Sequence, residues 1–154
     1  MKELFQHTAI TPLGEAGRSN GQGSVDAKMA GIVVRVAVNF LPEQSHIAAG
    51  RWFWVYHIRI ENHCDQVVQL LTRHWKITDG RGAVSYVDGP GVVGEQPVLH
   101  PGKSHDYVSG CPLKTPTGSM EGHYEFHCED GRTVKAAIPF FPLTAPATAT
   151  RPAG

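Results

Sequence analysis

A chain of 154 residues is the length of one domain with a single hydrophobic core. Fourteen lysines and arginines balance fourteen aspartates and glutamates; no long-range field draws the chain onto nucleic acid or an anionic membrane. Three cysteines, Cys64, Cys111 and Cys128, form no CxxC pair, which fits neither a disulfide framework nor a zinc cluster and points to a reducing cytosol.

No apolar h-region follows Lys2, and no run approaches the ~20 apolar residues of a membrane helix, so no membrane span is expected. From Thr8 to Gly31 the chain is rich in Gly, Ser, Ala and Asn and has neither hydrophobic period, which reads as a flexible arm over residues 1–30. From Ile32 apolar residues recur at every second position, through Val34, Val36 and Val38 to Phe40, the signature of a strand with one core face. The next run is cleaner. Trp52, Trp54, Tyr56, Ile58 and Ile60 share one face and His57, Arg59 and Glu61 the other, which makes the aromatic series a core face rather than an exposed binding stripe.

In the third run Val68 and Leu70 hold one parity while Leu71, Trp75 and Ile77 hold the other; either a β-bulge near Leu70 or burial on both faces produces that switch. Asp79-Gly80-Arg81-Gly82 supplies hairpin chemistry before a short run from Ala83 to Val87. Further strands are read at 96–99, 104–111, 119–128 and 133–140, with turn residues about every ten positions and no capped helical segment. Residues 143–154 repeat Pro, Ala and Thr and read as a disordered tail. About seven or eight antiparallel strands over residues 31–142 imply an all-β sandwich. The Cys, Trp, Cys spacing of immunoglobulin domains is absent, so fibronectin type III-like describes the immunoglobulin-type sandwich better.

Gly89-Pro90-Gly91-Val92-Val93-Gly94-Glu95-Gln96-Pro97, Ser109-Gly110-Cys111-Pro112-Leu113, Thr115-Pro116, Arg73-His74-Trp75, Gly118, Met120, Glu121-Gly122 and Ile138-Pro139-Phe140 together resemble the signature of the ApaG family over about residues 31–142. The resemblance implies a fibronectin-like sandwich, a bacterial association with cobalt resistance and magnesium efflux, and use of the domain as a protein-interaction module. It brings no catalytic residues with it.

Gly89, Gly91 and Gly94 also match a dinucleotide fingerprint, but β-branched Val92 and Val93 and then Pro97 replace the helix whose N-terminus would carry the phosphate charge. A glycine-rich interstrand loop is the plainer reading; an anion loop for a nucleotide pyrophosphate, helped by Arg73, His74 and Lys103, is the functional one. For a magnesium or cobalt ion the best local candidates are Glu121, His123, Glu125 and His127 on one strand face. His123 and His127 would stand ~14 Å apart and only neighbours such as His123 with Glu125 could chelate, so the sequence assigns no metal ligands. Ser104-His105-Asp106 alternates across a strand and cannot form a relay. Cys111 has no neighbouring cation to activate it, and nothing brings Glu95 and Glu121 together as an acid–base pair. Three functions stay open: a non-catalytic module that binds a protein partner or a second copy of itself through loops or a sheet edge, a nucleotide sensor built on residues 89–94, and, as an outsider, a hydrolase acting on phosphoanhydrides.

Overall fold

The computed structural model describes residues 5–13 and 31–149. Nine strands follow in order: β1 (His7–Pro12), β2 (Gly31–Phe40), β3 (Trp52–Asn62), β4 (Val68–Asp79), β5 (Val84–Pro90), β6 (Val98–Leu99), β7 (Ser104–Leu113), β8 (Thr117–Cys128) and β9 (Thr133–Thr144). One sheet runs β1-β2-β3-β7; the other runs β5-β4-β8-β9, with β6 paired to β4. All the pairings are antiparallel. The immunoglobulin/fibronectin type III-like sandwich read from the periodicity is the architecture found.

The core lies between the inner faces. β3 alternates without a break, burying Trp52, Trp54, Tyr56, Ile58 and Ile60. Opposite them stand Leu70 and Trp75 of β4, Met120, Tyr124 and Phe126 of β8, and Ile138, Phe141 and Leu143 of β9. Trp75 meets Tyr56 and Phe141 edge-on, with centroids 5.5 and 6.1 Å away, the geometry aromatic quadrupoles favour. The parity switch in β4 is a bulge: pairing with β8 skips Leu71 between Leu70 and Thr72, so Leu70 and then Arg73, Trp75 and Ile77 reach the same inner face.

The arm and tail boundaries fall differently from the compositional reading. Residues 7–12 pair with β2 from His7↔Val36 to Pro12↔Gly31, and Leu13 is buried; the six-residue strand is too short and too polar to announce itself without its partner. Residues 14–30 lie outside the described segments. At the other end β9 runs on to Thr144, and a 3-10 turn at Ala147–Ala149 follows. Buried indoles hold this segment: Trp54 Nε1 donates to Thr144 O at 3.2 Å and Trp52 Nε1 to Ala149 O. Small alanines suit it because Ala145 and Ala149 pack flat against the core. Residues 150–154 lie outside the described segments.

The two long sides of the sandwich differ. On one, β1 and β2 lie against β9, and Ala137 N donates to Thr11 Oγ1 at 3.0 Å. On the other, the edge strands β5 and β7 end the two sheets and stand apart.

Candidate functional site

Between β5 and β7 runs a groove. Near its Val92 end a cleft of about 500 Å³ is lined by Tyr56, Arg73, Trp75, Val87, Tyr107 and Cys111 among others. A second cleft of about 440 Å³, bounded by Arg51 and Lys114, continues it, sharing Ile77, Ser85, Pro112 and Leu113. Its floor is mostly apolar and its hydroxyl and thiol groups stay neutral. Burial pushes up the phenols of Tyr56, Tyr107 and Tyr124, and Tyr107 and Tyr124 share a hydroxyl–hydroxyl hydrogen bond. Burial likewise raises the Cys111 thiol to about 11, so it is no nucleophile at neutral pH. All three cysteines are buried thiols.

Arg73 is the charged side chain lining the larger cleft. Its Nη1 donates to Pro90 O at 2.8 Å and Gly91 O at 3.0 Å. These contacts explain the glycine spacing of residues 89–94. The Arg73 guanidinium lies across Gly89, with its atoms 3.0–3.1 Å from the place a Cβ would occupy. Gly91 has φ +62°, and a Cβ there would meet Glu95 O at 2.3 Å. Val93 and Gly94, at φ +47° and +80°, are the two central residues of a tight turn closed by Val92 N→Glu95 O at 2.8 Å and Glu95 N→Val92 O at 3.0 Å. Both central residues at positive φ are the mark of a type I′ turn. Gly89, Gly91 and Arg73 are thus brought together, with the Pro90 and Gly91 carbonyls on the guanidinium, while Gly94 stands in the turn beyond. His74 faces the opposite side of the sheet, where its Nδ1 meets Asp88 Oδ1 at 2.8 Å. Lys103 sits in another turn, where its carbonyl accepts from Asn62 N.

The remaining sequence candidates separate. Asp106 faces outward to His57 Nε2 at 2.9 Å and Arg59 at 3.4 Å, while His105 lies beside Tyr107, so the Ser104-His105-Asp106 run forms no relay. Glu95 closes the turn after β5 and Glu121 pairs in register with Lys76, so these carboxylates do not meet. His123 and Glu125 do gain a partner that sequence spacing concealed: register places His74 opposite His123.

The edge of β5 is the other exposed feature. Gly91 N bonds to Leu71 O and Asp79 N to Ala83 O, so the odd-numbered residues of the β5 ladder bond to β4. Strand geometry then turns the N–H and C=O groups of Val84, Tyr86 and Asp88 away from the sheet, and Pro90, at an outward position, has no N–H to leave unsatisfied. Val84, Tyr86 and Val87 are exposed, Tyr86 to 69%.

The two antiparallel sheets define a fibronectin-like β-sandwich domain, open along the side that β5 and β7 border among the described residues. The ApaG domain profile matches residues 42–128. The chain is 51% identical over 115 residues to the ApaG protein of Sinorhizobium fredii, covering 75% of this chain and 88% of that one. To the ApaG protein of Mesorhizobium japonicum it is 50% identical over 117 residues, covering 76% and 90%. A crystal structure of an ApaA protein from Bordetella pertussis superposes with a TM-score of 0.73 at 41% identity, covering 75% of this chain and 94% of that one. The chain belongs to the ApaG family. Among the described residues no helix is long and apolar enough to cross a membrane.

Proposed function

We propose that this ApaG domain is a non-catalytic binding module that takes an extended segment of a protein partner as an added strand on the edge of β5, serving, as the family resemblance implies, in cobalt and magnesium tolerance. The observation that carries the reading is the β5 edge itself. Seven residues long, it turns the backbone groups of Val84, Tyr86 and Asp88 outward, beside exposed apolar side chains and an apolar groove. Natural edges are ordinarily blunted by lysine, bulges or a covering loop. Here Asp88 is the one charged residue in β5, and its carboxylate is engaged by His74. Main-chain hydrogen bonds along the edge would supply affinity, and alternate side chains of the added segment entering the groove past Val87 would supply selectivity.

The test is partner capture by the full chain and by Tyr86→Pro, which deletes an N–H that strand geometry turns away from β4. A lost backbone bond of ~1–1.5 kcal/mol net corresponds to about tenfold weaker capture. Amides of Val84, Tyr86 and Asp88 should be protected from hydrogen exchange in the complex. Equal capture by a folded Tyr86→Pro variant, or protection confined to other strands, would overturn the edge assignment. Titration with ATP decides the rival reading, in which residues 89–94 and Arg73 hold a nucleotide; there the saturable amide shifts would fall on Gly91 to Gly94.

A further inference from the structure

We propose that His74, His123 and Glu125 form a site for a divalent first-row metal ion of the zinc type on the outer face of the second sheet. The inference is independent of the β5-edge reading. Each of the three residues offers a ligand atom, and these atoms all lie within 4.8 Å of one another. The cluster is built by pairing register. β4 and β8 run antiparallel, His74 stands opposite His123, and Thr72 stands opposite Glu125. The two imidazoles stack with centroids 4.5 Å apart and an interplanar angle of 19°.

The hydrogen bonds around His74 fix which nitrogen faces the cluster. Asp88 on β5 lies 2.8 Å from Nδ1; a carboxylate accepts, so Nδ1 donates to it, and Nε2 is the nitrogen turned toward the cluster. That nitrogen is 2.9 Å from Thr72 Oγ1 and 3.9 Å from Glu125 Oε2. Thr72 Oγ1 also reaches Glu125 Oε1 at 3.2 Å. The Thr72 hydroxyl has one proton, which the Glu125 carboxylate accepts, so a metal ion entering between Nε2 and Glu125 replaces the Thr72 contact at that nitrogen. The carboxylate–imidazole–metal arrangement, with Asp88 as the outer partner, is the usual way a protein orients a ligating histidine.

Two imidazoles and one carboxylate suit zinc, nickel and copper better than magnesium, which takes oxygen donors and keeps its waters. Ligands ~2.0–2.1 Å from a tetrahedral ion lie roughly 3.3–3.5 Å apart. Loading therefore draws the donors together by about 1 Å and turns the rings out of their parallel stack, since each lone pair lies in its ring plane. All three side chains are partly exposed, which leaves the rotamers free to do so. Water completes the shell on the solvent side. Lys135, opposite Glu125 on β9, opposes the cation and places this site below a closed structural zinc site in affinity.

The full chain is titrated calorimetrically with zinc at neutral pH, with imidazole ¹⁵N shifts recorded alongside. The expected result is one saturable ion per chain, with the Nε2 resonance of His74 moving. His123→Ala and Glu125→Gln should each weaken binding at least tenfold, and Asp88→Asn by about 10–100-fold through the lost outer partner. His127→Ala, on the same face outside the cluster, should change it by less than twofold. Glu125→Gln and Asp88→Asn preserve shape, so they answer the question even if removal of a stacked histidine unfolds the sheet. No saturable zinc binding, binding that survives His123→Ala and Glu125→Gln unchanged, or equal competition by magnesium would overturn the assignment.

Discussion

Replacing Gly91 and Gly94 separately by alanine tests the structural account of the residue 89–94 loop, because the two glycines stand in different surroundings. At Gly91 the alanine meets two costs. A left-handed backbone penalises an L side chain by roughly 1–2 kcal/mol. In addition, its Cβ would sit 2.3 Å from Glu95 O and 3.0 Å from the Glu95 carbonyl carbon, so backbone must move. The movement strains the two Val92–Glu95 bonds and the Gly91 carbonyl that Arg73 holds, at about 1 kcal/mol each net. The sum is about 4–5 kcal/mol. At Gly94 only the conformational penalty applies, since nothing lies within 4 Å of an added Cβ, and the cost is ~1 kcal/mol. Urea unfolding followed by the fluorescence of buried Trp52, Trp54 and Trp75 reads the difference. With a slope of about 2 kcal/mol per molar, Gly91→Ala should lower the midpoint by about 2–2.5 M and Gly94→Ala by about 0.5 M. Equal midpoints for the two variants would refute the argument that close approach of Glu95 is what demands glycine at 91. Gly94→Ala is accordingly the cleaner probe of ligand binding at this loop.

Glu61 is partly buried, which raises its carboxyl, but hydrogen bonds from Arg35, His63 and Arg59 outweigh that and bring it from the ordinary 4.5 to about 2. A lowered folded-state value means that its stabilisation is fully present above the unfolded value and is lost as pH falls from about 5 through 2. Screening at the half-exposed guanidiniums trims the effect to ~1–2 kcal/mol. Glu61→Gln should flatten that part of the acid unfolding curve, and an unchanged slope between pH 5 and 2 would count against the network. Ending the chain at Pro146 removes the acceptor of the buried Trp52 indole and should cost about 1–2 kcal/mol, with red-shifted tryptophan emission; a melt identical to that of the full chain would show that the segment is dispensable.

Alternation in the sequence determined the strands that carry the core. β3 was legible residue by residue because every second side chain must be buried, and steric preference for extended backbone in β-branched and aromatic residues acts locally. The change of parity in β4 exposed the Leu71 bulge for the same reason, though only the pairing with β8 excluded burial on both faces. The family was legible through the run from Gly89 to Pro97, whose glycines answer local demands of the Val93–Gly94 turn and of Glu95. Contacts between distant segments decided the rest. β1 is a strand because β2 offers its edge, and residues 143–149 are ordered because the indoles of β3 need acceptors; neither gain is written in those segments themselves. The same holds for the candidate sites. Register, a non-local property, put His74 beside His123 and Glu125, turned Arg73 inward onto the loop carbonyls, and left β5 and β7, among the described residues, as the two sheet edges bordering the groove.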